Sequence, residues 1–251
     1  MFKDYKLEIL FQDDYIVAIN KPSGLLVHRS MIDPSEIYFA VNILRDQIGK
    51  YVYPVHRIDK PTSGVLLFAL DSQSAKILSE QFLANQIEKR YLAVVRGYTQ
   101  PQGVIDYPLS RKLDKIADCD ASQNKEPQEA ISTYTRLATV EVPYEVGKYA
   151  QTRYSLVEVV PKTGRKHQIR RHMKHLSHHL VGDTKYGRGE HNKFIREQYD
   201  CHRMLLHSYS LSIFHPYDNN RLTFKAPLDE SFKSIFTSFG WEELMQTIGL
   251  N

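Results

Sequence analysis

The tightest constraint on the fold lies at Gly64. There the polar stretch His56-Arg57-Ile58-Asp59-Lys60-Pro61-Thr62-Ser63-Gly64 gives way to Val65-Leu66-Leu67-Phe68-Ala69-Leu70. Six apolar residues without a polar interruption read as a buried strand. Asp59 therefore sits in a turn-rich loop anchored to a rigid core element, a setting in which reactive groups are commonly presented. An acid at the edge of an apolar core stays ionised only if a cation or several donors offset its desolvation. Two readings of Asp59 follow: it caps a turn or pairs locally with Arg57 or Lys60, or it is a reactive carboxylate.

Around that junction the chain alternates strand and helix signals. Tyr15–Asn20 reads as a strand closed by the turn Lys21-Pro22-Ser23-Gly24, with Leu25-Leu26-Val27 extended beyond it. A cap at Asp71 or Ser72 introduces a helix to Gln86 with Ala75, Leu78 and Phe82 on one stripe. Arg90–Arg96, Ile131–Val140 and Tyr154–Val160 are further strands, and residues 110–130 read as an exposed loop. After Lys162-Thr163-Gly164 a helix is expected, with Ile169, Met173, Leu176 and Leu180 facing the core. His215–Asn220 turns between two alternating strands, and a last helix places Phe232, Ile235, Phe236 and Phe239 near Trp241. The expected class is α+β, with a mixed, mostly antiparallel central sheet flanked by helices and loops. No linker divides the chain, so residues 1–251 are expected to form a single domain.

Charge is distributed unevenly. Residues 162–179 hold six Lys/Arg and five of the eleven His, with no acid, although the formal net charge of the chain is only +4. On a continuous helix Lys166, Arg170 and Lys174 would stack at i, i+4 and i+8, which opposes helix formation unless a polyanion or a buried acid compensates. RNA phosphates fit most of such a face. Arg170, beside the core-facing Ile169, has a second option: to point inward at Asp59. The bland alternative is a solvated basic face.

Several functions find no support. The two cysteines, Cys119 and Cys201, are far apart and form no CxxC pair, which fits a reducing cytosol. The histidine cluster lacks a nearby carboxylate, so no metal is expected. P-loop, GxGxxG and GxSxG patterns are absent, and no cofactor is expected. No apolar run approaches the roughly 20 residues that span a bilayer, so no membrane partner is expected and the cytoplasm is the expected compartment.

Four segments in order, Asn20-Lys21-Pro22-Ser23-Gly24-Leu25-Leu26-Val27-His28, the His56–Asp59 segment, Lys89-Arg90-Tyr91 and Lys162–His172, resemble the successive motifs of the RluA family of pseudouridine synthases. The resemblance covers residues 7 to about 228 and implies the pseudouridine synthase fold, with an active-site cleft across the sheet. It implies Asp59 as the catalytic aspartate, Arg170 as its ion-pair partner and Tyr91 as the tyrosine against the base. It makes Ile169 an apolar contact and Arg57 the residue that holds RNA where the base has left. Lys21, Arg165, Lys166 and His167 complete the expected RNA contacts. Ile58 and Ile169 stand where leucine is more common. The S4 RNA-binding domain of many relatives is not expected at the N-terminus.

Similarity in Leu113–Asp118 and Arg153–Pro161 points further, to the branch acting on uridine 65 of tRNA. The expected substrate is tRNA and the expected state a monomer. Ribosomal RNA is the second substrate reading. A non-catalytic RNA-binding module would explain the charge but not Asp59, and a glycosidase-like hydrolase would need a second carboxylate.

Overall fold

The computed structural model of the protein describes residues 5–29, 36–110, 126–147 and 150–249. The Leu113–Asp118 stretch and Cys119, within the loop expected over 110–130, lie outside the described residues. Ten strands among the described residues form one sheet. They are β1 (Glu8–Gln12), β2 (Ile16–Lys21), β3 (Tyr53–Pro54), β4 (Ser63–Ala69), β5 (Glu88–Arg96), β6 (Gln102–Asp106), β7 (Ile131–Val142), β8 (Thr152–Pro161), β9 (Leu206–Phe214) and β10 (Arg221–Lys225). The order is β1-β2-β4-β9-β5-β8-β7-β6, with β3 beside β4 and β10 beside β9. Only the β4–β9 pair is parallel. The mixed, mostly antiparallel α+β expectation is met.

Both faces of the central strands are covered, which explains the uninterrupted apolar run. Leu66 and Phe68 pack with Leu44 of α1 (Ala40–Ile48), whereas Val65, Leu67 and Ala69 pack with Leu78 of α2 (Ser72–Leu83). Leu92 and Val94 of β5 meet Phe232, Ile235 and Phe236 of α5 (Glu230–Ser238) on one face. Ala93 and Val95 meet Ile169 and Met173 of α3 (Gln168–His175) on the other. Each of the Val, Leu, Ile, Phe and Met side chains among these contributes about 1.5–3 kcal/mol on full burial, so register slips in β4 or β5 are strongly opposed. Asp71 caps α2, its Oδ1 accepting from Ser74 N at 2.8 Å, as the sequence indicates.

Three expectations fail around the basic segment. The helix starts at Gln168 rather than directly after Gly164, because His167 adopts a left-handed backbone (φ 56°). Lys166 consequently lies outside the helix, and the Lys166–Arg170–Lys174 stripe does not exist. Leu180 also lies beyond the helix, in an isolated bridge with Val95. The structure adds elements that the sequence pattern does not announce: β1, β3, β6, α1, α4 (Gly189–Tyr199) and α6 (Glu242–Ile248). No side chain caps α1, α4 or α6, so the usual start signal is missing. No helix among the described residues is long and apolar enough to cross a membrane.

Gly64 is where the parallel pair closes up. Its φ is +110°, and a Cβ there would lie 2.1 Å from Ser208 O on β9. Gly64→Ala is expected to cost about 3 kcal/mol through backbone strain and forced strand separation. For a chain of this size that corresponds to a melting temperature lower by roughly 6–12 °C. An unchanged thermal melt would show that β4 and β9 separate without cost.

Candidate active site

The Asp59 loop is tied down from several directions. Leu67 N of β4 donates to His56 Nε2 at 3.0 Å, and the His56 ring stacks on Phe82 of α2 at 4.8 Å. Burial, followed by the nearby Lys89 charge, pushes the His56 pKa down to about 3, so the ring is neutral and free to accept. From the β2 side, Gly24 N donates to Lys60 O at 2.8 Å and Ser23 Oγ to Pro61 O at 2.8 Å.

Lys21, expected to contact RNA, is fully buried. Its ammonium donates to Pro22 O (2.8 Å), Leu25 O (2.7 Å) and Lys60 O (3.2 Å). Burial, then repulsion from Arg203, lowers its pKa well below the usual lysine value, against an opposing pull from Asp59. Lys21 therefore holds the two loops together and does not reach a ligand.

Arg170 is the centre of the site. It is 6 % exposed, and Nη1 donates to Asp59 Oδ2 at 3.0 Å. On its other side Nε and Nη2 grip Asp183 Oδ2 and Oδ1 at 2.7 and 2.8 Å, a bidentate arrangement. Asp183 is buried and also accepts from Lys185 N and Tyr186 N at 2.9 and 3.0 Å. Burial raises the Asp183 pKa, but the Arg170 and backbone donors outweigh it and leave the value below normal. The Arg170 guanidinium also lies 5.1 Å over the Tyr186 ring. Asp183 is a compensating acid that the sequence pattern does not assign. A signal exists all the same: it is the first acid after the acid-free stretch.

A cleft of about 410 Å³ opens beside this pair, walled by Arg57, Asp59, Tyr91, Arg165, His167, Ile169 and Arg170 among others. Seven of the nine expected site residues thus converge. Lys21 and Lys166 do not line it. Ile58, Tyr91 and Ile169 belong to one apolar cluster that forms its floor. A register shift between Arg90 and Tyr91 in the β5–β9 pairing, a device that re-aims side chains, precedes the tyrosine. Burial raises the Tyr91 pKa to about 12, outweighing its hydrogen bond to Ser208, so the phenol is neutral at physiological pH.

His167 donates no charge to this site. Its Nε2 is 3.9 Å from Asp59 Oδ1, but burial lowers its pKa to about 4 despite the pull of Asp59. The contact is therefore not an ion pair at neutral pH. His167 Nδ1 lies 3.0 Å from the Tyr186 hydroxyl, which fixes the ring. Asp59 lines the cleft, and among the described residues its Oδ2 accepts from Arg170 while Oδ1 accepts no hydrogen bond. Such a group can attack an electrophilic carbon or take a proton. No group of three or more His, Cys, Asp or Glu among the described residues is placed to hold a metal ion.

Behind β4, and also unanticipated, Arg203 donates to Ser63 Oγ at 2.7 Å and pairs with Asp229, while Ser63 Oγ lies 2.7 Å from His207 Nδ1. His207 Nε2 lies 3.0 Å from Ala226 O, and burial pushes the His207 pKa down to about 3.

The sequence profile of the RNA pseudouridylate synthase family matches residues 15–175. The tRNA pseudouridine synthase C of Vibrio parahaemolyticus is 54% identical over 95% of this chain and 97% of its own length. That of Haemophilus influenzae is 52% identical over 95% and 100%. Among solved structures, human RNA pseudouridylate synthase domain containing 4 superposes with a TM-score of 0.67 at 25% identity, covering 93% of each chain. Human RNA pseudouridylate synthase domain containing 1 gives 0.67 at 24% identity, over 89% of this chain and 84% of that one.

Buried neutral histidines make stability pH-dependent. The unfolded chain protonates His207 near 6.5, whereas the folded chain refuses the proton until about pH 3. Stability therefore rises with pH across that window and is lost as pH falls below 6.5. At pH 5.5 the loss from this one residue is about 1.4 kcal/mol. The melting temperature is expected to drop measurably between pH 7 and 5.5; a flat profile over that range would contradict the neutral buried assignment.

Proposed function

The chain belongs to the RNA pseudouridylate synthase family and is an isomerase of uridine in RNA, and we propose that its substrate is tRNA, with uridine 65 in the T-arm stem as the target. The observation that carries the site assignment is Asp59, pinned at Oδ2 by Arg170 and lining a cleft that Tyr91 also lines. The tRNA reading is supported by relatives named tRNA pseudouridine synthase C, which are 54% and 52% identical across nearly the whole chain. Acting as one catalytic domain and as a monomer in the cytoplasm, the protein takes its target into the cleft between basic rims.

The isomerisation breaks the bond from C1′ to N1 of uracil, turns the base, and joins C5 to C1′. The uridine first leaves its stack, at a cost of a few kcal/mol. Phosphate contacts from Arg57 and Arg165, together with stacking on the Tyr91 ring, offset that cost. The Asp59 carboxylate then attacks the ribose or removes its proton, and Arg170 holds it in place through Oδ2. The neutral Tyr91 hydroxyl is positioned to relay a proton near C5. Ile58 and Ile169 keep water from the reacting face, which strengthens every charge interaction inside.

Asp59→Asn is expected to abolish tritium release from C5-labelled RNA while changing affinity only several-fold; substantial residual turnover would refute the catalytic role. Arg170→Ala leaves Asp183 buried without its cation and should lower stability by roughly 3–5 kcal/mol as well as turnover. Tyr91→Phe should bind RNA normally but react slowly. For the substrate, unmodified tRNA and ribosomal RNA are offered separately and the pseudouridines located. Modification confined to ribosomal RNA would overturn the tRNA assignment.

A further inference from the structure

The cleft continues into a second cavity of about 490 Å³, and the two share Asn85, Lys89, Glu129, Pro161 and Thr163 as common wall. The second cavity lies over the ends of β5, β8 and β9, floored by Ile87, Val160 and Ile213. Its charges are unequal in availability. Glu88 is already held by Arg90 at 2.5 Å and by Arg221 at 2.6 Å. Glu129 is exposed, so solvent and salt screen it. Lys162 is exposed with its side chain unpaired among the described residues, and Lys89 is half-buried and likewise unpaired.

Lys89 is the informative case. It stands at the junction of the two cavities, two residues before Tyr91 on the same strand. Burial lowers its pKa and no facing acid raises it. A cation desolvated without a partner is unfavourable, and an arriving anion would relieve that cost. A target uridine within an RNA chain brings a phosphate on each side of itself.

We propose that the second cavity is a phosphate-binding trough for the RNA strand flanking the target uridine, with Lys89 taking the phosphate next to the extruded nucleotide and Lys162 one further along. This rests on the RNA isomerase reading of the adjoining cleft. Apolar Ile87, Val160 and Ile213 underlie the path and Lys89 and Lys162 rim it, so the trough reads backbone rather than sequence.

The test measures binding of unmodified tRNA transcript by fluorescence anisotropy across a salt series, for wild type, Lys89→Met, Lys162→Met, the double variant and Lys89→Arg. Each lysine removed should reduce the log–log salt slope by roughly 0.7–0.9. Lys89→Arg should restore the slope, and the kinetic loss should fall mainly on KM. Melting temperatures should stay at or above the wild-type value, since neither ammonium is paired among the described residues and Lys89→Met removes a desolvated charge. An unchanged salt slope, or a loss confined to kcat, would overturn the trough. If the wild type formed no pseudouridine yet Lys89→Met still flattened the salt slope, the trough would stand and the isomerase reading would fall.

Discussion

Arg170 is the residue on which the site depends, because one buried guanidinium satisfies two carboxylates with opposite duties. Asp183 takes the bidentate edge and is saturated by two further backbone donors, so its charge is wholly committed. Among the described residues Asp59 receives a single hydrogen bond, at 3.0 Å, and its other oxygen has no donor. A lysine could supply the charge but not the planar fork that serves both partners. The fork also fixes geometry across the fold: Asp59 comes from the loop before β4, whereas Asp183 follows α3. Removing Arg170 leaves two carboxylates without their cation, one of them fully buried, so the guanidinium ties the Asp59 loop to the packing behind α3.

The groups around this triad are kept neutral or internally committed. His56 accepts from β4, His207 bridges Ser63 and Ala226, and His167 rests against Tyr186, each with its pKa lowered by burial. Lys21 carries its donors to three carbonyls of the Pro22–Leu25 and Lys60 turns. Motif residues that look like RNA contacts by charge therefore act as rivets for the Asp59 loop. Among the described residues, Arg57, Lys89 and Lys162 at the cleft and its extension have no acidic partner, and Arg165 is tied only to the Glu129 carbonyl. In the proposed function this separation would keep phosphate attraction at the rim and leave the interior field to the Arg170 triad, as preorganised electrostatic catalysis requires.

Much of this is legible in the sequence. The Val65–Leu70 run locates β4 because a short apolar run bounded by polar turns marks a strand buried on both faces, and the Asp71 cap locates α2 to the residue. Arg170 can be placed inward because Ile169 faces the core. Lys166 cannot be placed, because helical phase does not carry through His167, whose left-handed backbone resets it. Lys21 looks like a ligand contact since burial of a lysine depends on carbonyls gathered by two loops, a tertiary fact with no local signature. Asp183 and the Arg203–Ser63–His207 chain join residues 13 to 144 positions apart, and no spacing rule reaches that far. Weak elements such as β6 escape for a different reason. Its Val104 is 69 % exposed, so the strand carries little apolar pattern.

The closeness of β4 and β9 connects these observations. Ser208 faces Gly64 across the parallel pair and Tyr91 across the antiparallel one, so a single residue of β9 touches the strands that bear both the aspartate loop and the tyrosine. A side chain at Gly64 would push Ser208 away from its place opposite Tyr91 on β5. The glycine that ends the reactive loop is thus also the spacer that sets the separation of Asp59 and Tyr91. Because close-packed interiors transmit small displacements rather than absorb them, backbone contact in the sheet bears on the separation of the Asp59 loop from Tyr91.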